Sequence, residues 1–410
     1  MATSKFFAIA FRNLARNGRR TFLTALAVAL GLVVVMAMSS LIEGMVSTMV
    51  ADSIRISTGH VQVRNINYDV DNISLLSQDL LQNPEAWKTQ AEALPEVQSA
   101  APVLWSGGLL STPGESVGIQ IVGIDPDDAF FQPVRQGIVA GQFLQTDDRG
   151  QILVGKMLAD QMEITVGQRV SLAASNANGE GQEGVFIVAG LVDTGFPSID
   201  QHRVILPLAQ AQSFSGVGNR FSSLILTLHD EADAPQVAAL FASPDTQALT
   251  WEDLNSLILS SVKNGLIFYY VLYGIVFLAV AVLIANTLLM SVFARAREIG
   301  ILASLGMNRR QITGLFLVEG ILLALLGIAI GLVLGLGVVA YMTYVGISVP
   351  AETAAMVEGF TMGTTIKGGF APVQFVVLSL LLLVIVSLVS LYPASYAARM
   401  EPVEALHHAL

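Results

Sequence analysis

The sequence predicts an α-helical membrane protein with four transmembrane helices and a large α+β extracytoplasmic domain inserted between helices 1 and 2. Three observations support this fold class. Of the 410 residues, 53% are apolar and only 13% are charged, whereas soluble domains are about 25% charged. The apolar residues concentrate in four long windows, and the segments between these windows differ in the sign of their charge.

Each apolar window is long enough to cross a membrane, since a hydrocarbon core ~30 Å thick needs ~20 apolar residues in a helix. Residues 21–42, 266–293 and 373–392 carry no charge, and residues 312–345 carry one, Glu319. We expect these to be the transmembrane helices. The first window could instead be a cleaved signal peptide, but its apolar run exceeds the ~7–15 residues usual for one.

The charge on the connecting segments indicates which side each occupies. Residues 1–20 contain five basic residues and no acid, and residues 294–311 contain four arginines and one glutamate. The positive-inside rule therefore places both termini, including the tail 393–410, and the 294–311 loop in the cytoplasm. Residues 43–263, with 10 basic and 26 acidic residues, then lie outside together with the loop 346–372.

The external segment 43–263 has the pattern of a folded α+β domain. Alternating and helical apolar spacings predict two βαβ-like units, with strands at 59–64, 97–104, 221–228 and 248–251 and helices at 73–94 and 231–241. This suggests a split βαβ, ferredoxin-like layer. Between the units, an insertion at about 114–205 is predicted to be rich in β-structure, with strands at 117–124, 151–154, 169–173, 185–191 and 203–206 and a polar hairpin tip at 176–184.

No motif for catalysis or for a bound cofactor stands out. The chain has no cysteine, which excludes Cys-ligated metals and a thiol nucleophile. Gly150–Lys156 has phosphate-loop spacing, but Met157 replaces the Ser/Thr that would hold Mg²⁺, and strand followed by helix is the better interpretation. The five histidines have no metal-binding spacing. The net charge of −11 argues against nucleic-acid binding. We expect no enzyme, no metal and no directly bound cofactor.

Two segments at the membrane edge are candidates for interaction. Residues 1–20 can form an amphipathic helix on membrane lipids, or can simply be a basic flank that sets topology. In the segment 294–311, Ile299, Leu302 and Leu305 have the spacing of one apolar helical stripe, and Gly306 can end that helix. Such a helix can dock in a groove of a cytoplasmic partner; the alternative is a surface loop resting on the bilayer.

Within the windows, small and polar residues mark packing positions. Gly327, Gly331 and Gly335 follow a small-xxx-small pattern that allows close helix approach, either within one chain or in a dimer. Asn286 and Glu319 are polar groups in apolar spans, and such groups usually face protein rather than lipid.

Several motifs resemble the permeases of the MacB/FtsX superfamily. They are Arg295–Met307 (R-A-R-E-I-G-I-L-A-S-L-G-M) between Asn286 and Glu319-Gly320, Tyr392-Pro393-Ala394 and Pro402–Leu406 in the tail, and Gly59–Val63 and Leu94–Val97 in the external domain. The similarity covers the whole chain and is strongest over residues 286–320 and 392–406. The layout, with no fused ATPase, most resembles the lipoprotein-release (Lol-type) permeases.

The resemblance implies a non-enzymatic permease subunit of mechanotransmission type in the bacterial inner membrane. A separate cytoplasmic ABC ATPase dimer, which binds ATP and Mg²⁺, would dock on the 294–311 helix. The implied docking residues are Arg295, Arg297, Glu298, Ile299, Leu302 and Gly306. A second permease copy or paralogue and a periplasmic carrier or adaptor are the other implied partners. The cargo would be an amphiphile such as a lipoprotein, although the polar hairpin 176–184 has no apolar anchor for a carrier.

Three other functions remain open from the sequence. One is efflux of the MacB type, and another is an FtsX-like transmembrane regulator of a cell-wall hydrolase. The third is a membrane-anchored enzyme with its active site in residues 43–263, where no catalytic motif is found.

Overall fold

The computed structural model describes residues 10, 12–14, 16, 18–69, 73–348 and 365–400. These residues form two compact units. The helical unit comprises the described residues up to 47, from 262 to 348 and from 365 onward, and the sheet unit comprises those from 48 to 261. Most of the predicted loop 346–372 and tail 393–410 lies outside the described residues.

The first long helix extends well beyond the predicted span. Helix α1 runs from Gly18 to Ser53 and continues into a π-helical turn, Ile54–Thr58. The predicted end at residue 42 is therefore not a helix boundary. The apolar run stops there, but nothing in the next eleven residues stops the helix, since Gly44 is the only poor helix former among them.

The sheet unit is built from twelve strands and seven helices among the described residues. In chain order they are β1 (Val61–Asn65), β2 (Leu81–Gln82), α2 (Pro84–Glu92), β3 (Val97–Ser111), β4 (Ser116–Ile124), α3 (Gln132–Gln136), β5 (Ile138–Gly141), β6 (Gln151–Gly155), α4 (Lys156–Gln161), β7 (Arg169–Ser175), β8 (Gly181–Val192), α5 (Pro197–Asp200), β9 (Arg203–Pro207), α6 (Leu208–Ser215), β10 (Arg220–Phe221), β11 (Ser223–Leu228), α7 (Ala234–Phe241), β12 (Thr246–Thr250) and α8 (Trp251–Leu254). Short 3₁₀ turns lie at Ala129–Phe131 and Glu231–Asp233.

Four of these strands form the split βαβ layer. Their order is β12–β1–β11–β3, with every neighbouring pair antiparallel. Helix α2 lies between β1 and β3 in the chain, and α7 lies between β11 and β12. The register pairs Val61 with Leu226 and Val63 with Leu224. These four side chains are buried together with Phe241 of α7, so the layer buries one apolar face against its helices.

The insertion closes a ring of six strands. β3 continues past the layer, pairs with β4 and β7, and the ring β3–β4–β9–β6–β8–β7 returns to β3. Closure pairs the strand edges that an open sheet would expose. Leu110, Ile121, Ile152, Leu172 and Val204 lie in its core.

Several predicted bounds differ from the structure. The helices predicted at 266–293 and 373–392 lie inside the longer helices Ser256–Ala294 and Pro372–Arg399, and the strand predicted at 97–104 continues to Ser111. The helix predicted over 73–94 covers only Pro84–Glu92, because Pro84 occupies the first turn of α2, where its missing N–H is tolerated. Strand β5 was not predicted, since its residues are mostly exposed and it is held by pairing with β8. Trp251 begins α8 rather than ending a strand, because Thr250 and Asp253 form a capping box.

The helical unit contains the remaining long helices. They are α9 (Ser256–Ala294), the short α10 (Ala296–Ser304), α11 (Arg309–Tyr344) and α12 (Pro372–Arg399), with the two-residue strands β13 (Ile347–Ser348) and β14 (Thr365–Ile366) between the last two helices. Among the described residues, four helices are long and apolar enough to cross a membrane. They bury a shared core that includes Leu32, Met36, Ile284, Leu382 and Val386.

Candidate functional site

Helix α10 joins two long helices at one end of the helical unit. Gly306 follows it with φ +95°, a conformation that glycine adopts easily at the end of a helix. The N–H groups of Gly306 and Met307 return to the carbonyls of Ala303 and Leu302 at 3.1 Å. Asn308 then begins α11 with a capping box to Gln311. The short helix is therefore separated from α11 by a defined turn.

The two faces of α10 differ from the predicted stripe. Ile299 is only 4% exposed and packs with Val292, Phe316 and Ala394 of the three neighbouring long helices. Leu302 is half-buried, and Leu305 is 79% exposed. The expected single face of Ile299, Leu302 and Leu305 is therefore wrong: the first residue belongs to the inner core and the last to the outer surface.

The outer surface of α10 contains both charge and apolar area. Arg297, Ile301 and Leu305 are exposed. We call these three residues the outer face of α10. Ile301 was not among the candidates from the sequence, because helical spacing alone did not show how α10 is rotated against its neighbours.

A buried ion pair attaches α10 to α11. Arg295 Nη1 lies 3.1 Å from Glu319 Oε2, and the two side chains are only 7% and 6% exposed. Ser291 Oγ donates to Glu319 Oε1 at 3.5 Å. The Arg295 guanidinium also lies 5.5 Å from the ring centre of Phe316, within cation–π range. Glu319 therefore faces protein, as expected for a charge in an apolar span.

The ion pair is one part of a larger charge cluster. Arg295 Nε donates to Glu298 Oε2 at 3.0 Å, and Arg16 Nη2 donates to Glu298 Oε1 at 2.6 Å. The Arg16 hydrogen bond is the largest cause that lowers the pKa of Glu298. Arg20 lies within electrostatic range of Glu319. The charge cluster thus joins the N-terminal segment, α10 and α11, and sequence spacing could not show that Arg16 and Arg20 belong to it.

The small residues of α11 are used within the chain. A Cβ added at Gly331 would lie 3.0 Å from Ala29 Cα, and one added at Gly327 would lie 2.6 Å from Val28 Cβ. Gly335 lies against Met36 in the same way. The glycine stripe therefore lets α11 approach α1 closely, which accounts for the pattern by packing inside one chain.

Asn286 does not follow the expectation for polar residues in a span. Its side chain is exposed on α9, beside the exposed apolar residues Val282, Leu283 and Met290. Within the described chain it does not face protein, because this side of α9 has no covering helix.

The other sequence candidates for chemistry have structural roles or fall outside the described residues. Gly150–Lys156 contains the whole of β6 and the first residue of α4, and Lys156 pairs with Asp160. Among the described residues, no group of three or more His, Asp or Glu side chains could hold a metal ion. The pair His407–His408 lies outside the described residues.

Comparisons with known proteins agree with this architecture. The model of the MacB-like periplasmic core domain matches residues 21–243, and that of the FtsX-like permease C-terminal domain matches residues 270–402. An uncharacterised ABC transporter permease of Methanocaldococcus jannaschii is 22% identical over 99% of this chain and 98% of its own length. The lipoprotein-releasing system transmembrane protein LolC of Neisseria meningitidis is 24% identical, with 96% of each chain covered.

A third relative is longer than this chain. The macrolide export ATP-binding/permease protein MacB of Hyphomonas neptunium is 26% identical over 97% of this chain, which covers 60% of that protein. The two family models together span most of the chain, including the four apolar helices and the sheet unit. The chain therefore belongs to the MacB/FtsX superfamily of ABC transporter permeases.

Proposed function

We propose that this permease couples ATP hydrolysis by a separate ATPase to extraction or export of an amphiphilic cargo, such as a lipoprotein, at the outer face of the inner membrane. The observation that carries the proposal is α10, whose inner face is fixed to the long helices and whose outer face is exposed among the described residues. ATP and Mg²⁺ bind the ATPase dimer and not this chain.

The outer face of α10 is the docking surface in this proposal. Leu305 and Ile301 expose large apolar side chains beside the cation Arg297. Apolar groups surrounded by polar residues are typical of surfaces that a partner covers. The positive-inside rule assigns this end of the helices to the cytoplasm, where the ATPase would be found.

The buried face of α10 would transmit movement of the docked ATPase to the long helices. Ile299 packs against three long helices, and Arg295 is paired with Glu319 of α11. Close-packed side chains are hardly compressible, so a displacement of α10 shifts the helices that pack against it. Of the six docking residues implied by the resemblance, Arg295 and Ile299 would then act by attachment rather than by direct contact with the ATPase.

A negative charge introduced on the outer face tests the docking step. The variant Leu305→Glu should reduce copurification of the co-expressed ABC ATPase about tenfold or more, the size of a central interface residue. The matched control is Leu240→Glu, which places the same change on an exposed leucine of α7. Undiminished copurification with Leu305→Glu would contradict the docking assignment.

A second permease copy is the partner proposed for the uncovered side of α9. Asn286 would find a hydrogen-bond partner there instead of lipid. Because the chain has no cysteine, an Asn286→Cys variant can be cross-linked without background. We expect a disulfide-linked dimer with Asn286→Cys and none with Leu388→Cys, an exposed position on α12. Monomer alone in both variants would refute this arrangement.

The class of cargo is tested separately. In proteoliposomes with the ATPase, ATP-dependent release of a lipid-anchored protein would support the Lol-type function. ATP-dependent transport of a small amphiphile without such release would favour MacB-type efflux. Activation of a bound cell-wall hydrolase in the absence of cargo would favour the FtsX-like regulator and would contradict the transport proposal.

A further inference from the structure

The sheet unit contains a cavity of about 430 Å³ that the transport proposal does not use. It is lined by Ile54 and Arg55 of the π-helical turn, His60 just before β1, Phe130 of a 3₁₀ turn, Thr227 of β11 and Glu231. The volume is within the range of small-molecule sites. The π-helical turn is itself an uncommon local conformation that is found frequently at functional sites.

Two uncharged hydrogen-bonding groups at this cavity are not satisfied by the described protein. The backbone N–H of Leu228 donates to His60 Nδ1 at 2.9 Å, so a neutral His60 carries its proton on Nε2. Burial lowers the pKa of His60, which keeps the ring neutral at pH 7 and leaves Nε2–H as a donor. The hydroxyl of Thr227 is buried and has no partner among the described residues. A buried hydroxyl without a partner, such as that of Thr227, is costly unless a ligand or water satisfies it.

The cavity also presents one charge of each sign. Arg55 and Glu231 both line it, and neither is among the ion pairs of the described residues. Glu231 is close enough to His60 to act on its titration. Asp52 acts on Arg55 electrostatically without forming an ion pair with it, so Arg55 and Glu231 can each bind the complementary charge of one ligand.

The remaining wall restricts the ligand further. Ile54 and Phe130 are both buried apolar side chains at the cavity. We propose that this cavity binds a small zwitterion whose oxyanion is held by Arg55, His60 and Thr227 and whose ammonium group is held by Glu231. A short apolar part of the ligand would pack on Ile54 and Phe130. The site does not depend on the proposed transport function, and no step of that function depends on it.

Calorimetric titration of the full chain in phosphatidylglycerol nanodiscs tests the site. Two zwitterions serve as probes for the two kinds of ligand that have these charges: glycerophosphoethanolamine represents a lipid head group, and leucine represents a free amino acid. We expect saturable binding of at least one, with a Kd below about 1 mM. Analogues that keep only one charge should bind about tenfold more weakly or worse, because each leaves one charged side chain unpaired. They are glycerophosphoglycerol for glycerophosphoethanolamine, and leucinamide and N-acetylleucine for leucine.

Variants of the two charged residues show whether binding occurs in this cavity. Arg55→Gln and Glu231→Gln should each weaken the zwitterion about tenfold or more, while Arg55→Lys should retain most of the affinity. Both positions are exposed, so the substitutions leave the core intact, and an unchanged thermal unfolding curve by circular dichroism verifies this. Absence of saturable binding by both zwitterions, equal binding of the analogues, or binding unaffected by either glutamine variant would each overturn the proposal.

Discussion

Replacement of Glu319 by glutamine removes the charge that Arg295 pairs with inside the helical unit. The two side chains are only 7% and 6% exposed and lie 3.1 Å apart. Glutamine keeps the size of the side chain and one acceptor oxygen, so the packing around Phe316 stays filled. What remains is a buried guanidinium whose nearest carboxylate is Glu298, at 3.0 Å from Nε.

The expected loss of stability follows from burial of the unpaired charge. Removal of one partner from a buried ion pair costs about 3–5 kcal/mol. Glu298 is half-buried and continues to accept from Arg295, so we expect the lower end, about 3 kcal/mol. The double variant Arg295→Met/Glu319→Leu removes both members of the buried ion pair, and its stability should lie within about 1 kcal/mol of the parent.

The assay separates stability from coupling. Unfolding of the parent, the Glu319→Gln variant and the double variant is followed in detergent by circular dichroism, and ATPase stimulation by cargo is measured in proteoliposomes. We expect the double variant to recover the stability of the parent but not its cargo-dependent ATPase stimulation, because α10 is then attached to α11 by apolar contact alone.

Two results would refute this reasoning. A Glu319→Gln variant as stable as the parent would show that the pair contributes no net interaction at this position. A double variant with full cargo-dependent stimulation would show that the pair is dispensable for transmission and that the packing of Ile299 is sufficient.

Three further predictions concern packing, pH and sidedness. Gly331→Val should destabilise the helical unit by about 1–3 kcal/mol, since its Cβ meets Ala29; Gly337→Val, with open space around it, should be neutral in the same unfolding assay. Burial raises the pKa of Asp128 to about 7, so its folded form binds a proton that the unfolded form releases. Its contribution to stability should therefore be lost as the pH rises through 7. Lys88 of α2 pairs with Asp128, so hydrogen exchange of α2 and of the turn Ala129–Phe131, corrected for intrinsic rates, should show less protection at pH 8 than at pH 6, a difference that Asp128→Asn removes. In intact cells, a membrane-impermeant maleimide should label Asn178→Cys but not Leu305→Cys, and the reverse pattern would invert the proposed topology.

Local patterns in the sequence were enough for much of the site. Gly306 predicted the end of α10, since a glycine acts on the backbone within one turn. Patterning could not predict which face of α10 is buried, because Ile299 and Leu305 are equally apolar. Their different exposure depends on the residues that α9, α11 and α12 place beneath the short helix.

The sequence by itself determined the four long apolar helices, the acidic α+β segment between the first two and the strands of the split βαβ layer. These follow from hydrophobic transfer and from periodicities of two and 3.6 residues, which act along the chain. Only the tertiary structure decided that Arg16, Arg295 and Glu319 belong to one charge cluster and that the glycine stripe of α11 packs on α1. It also decided that β3 belongs both to the split βαβ layer and to the ring of six strands. Each of these depends on contacts between residues far apart in sequence, whose pairing is set by packing and by the requirement that buried charges find partners.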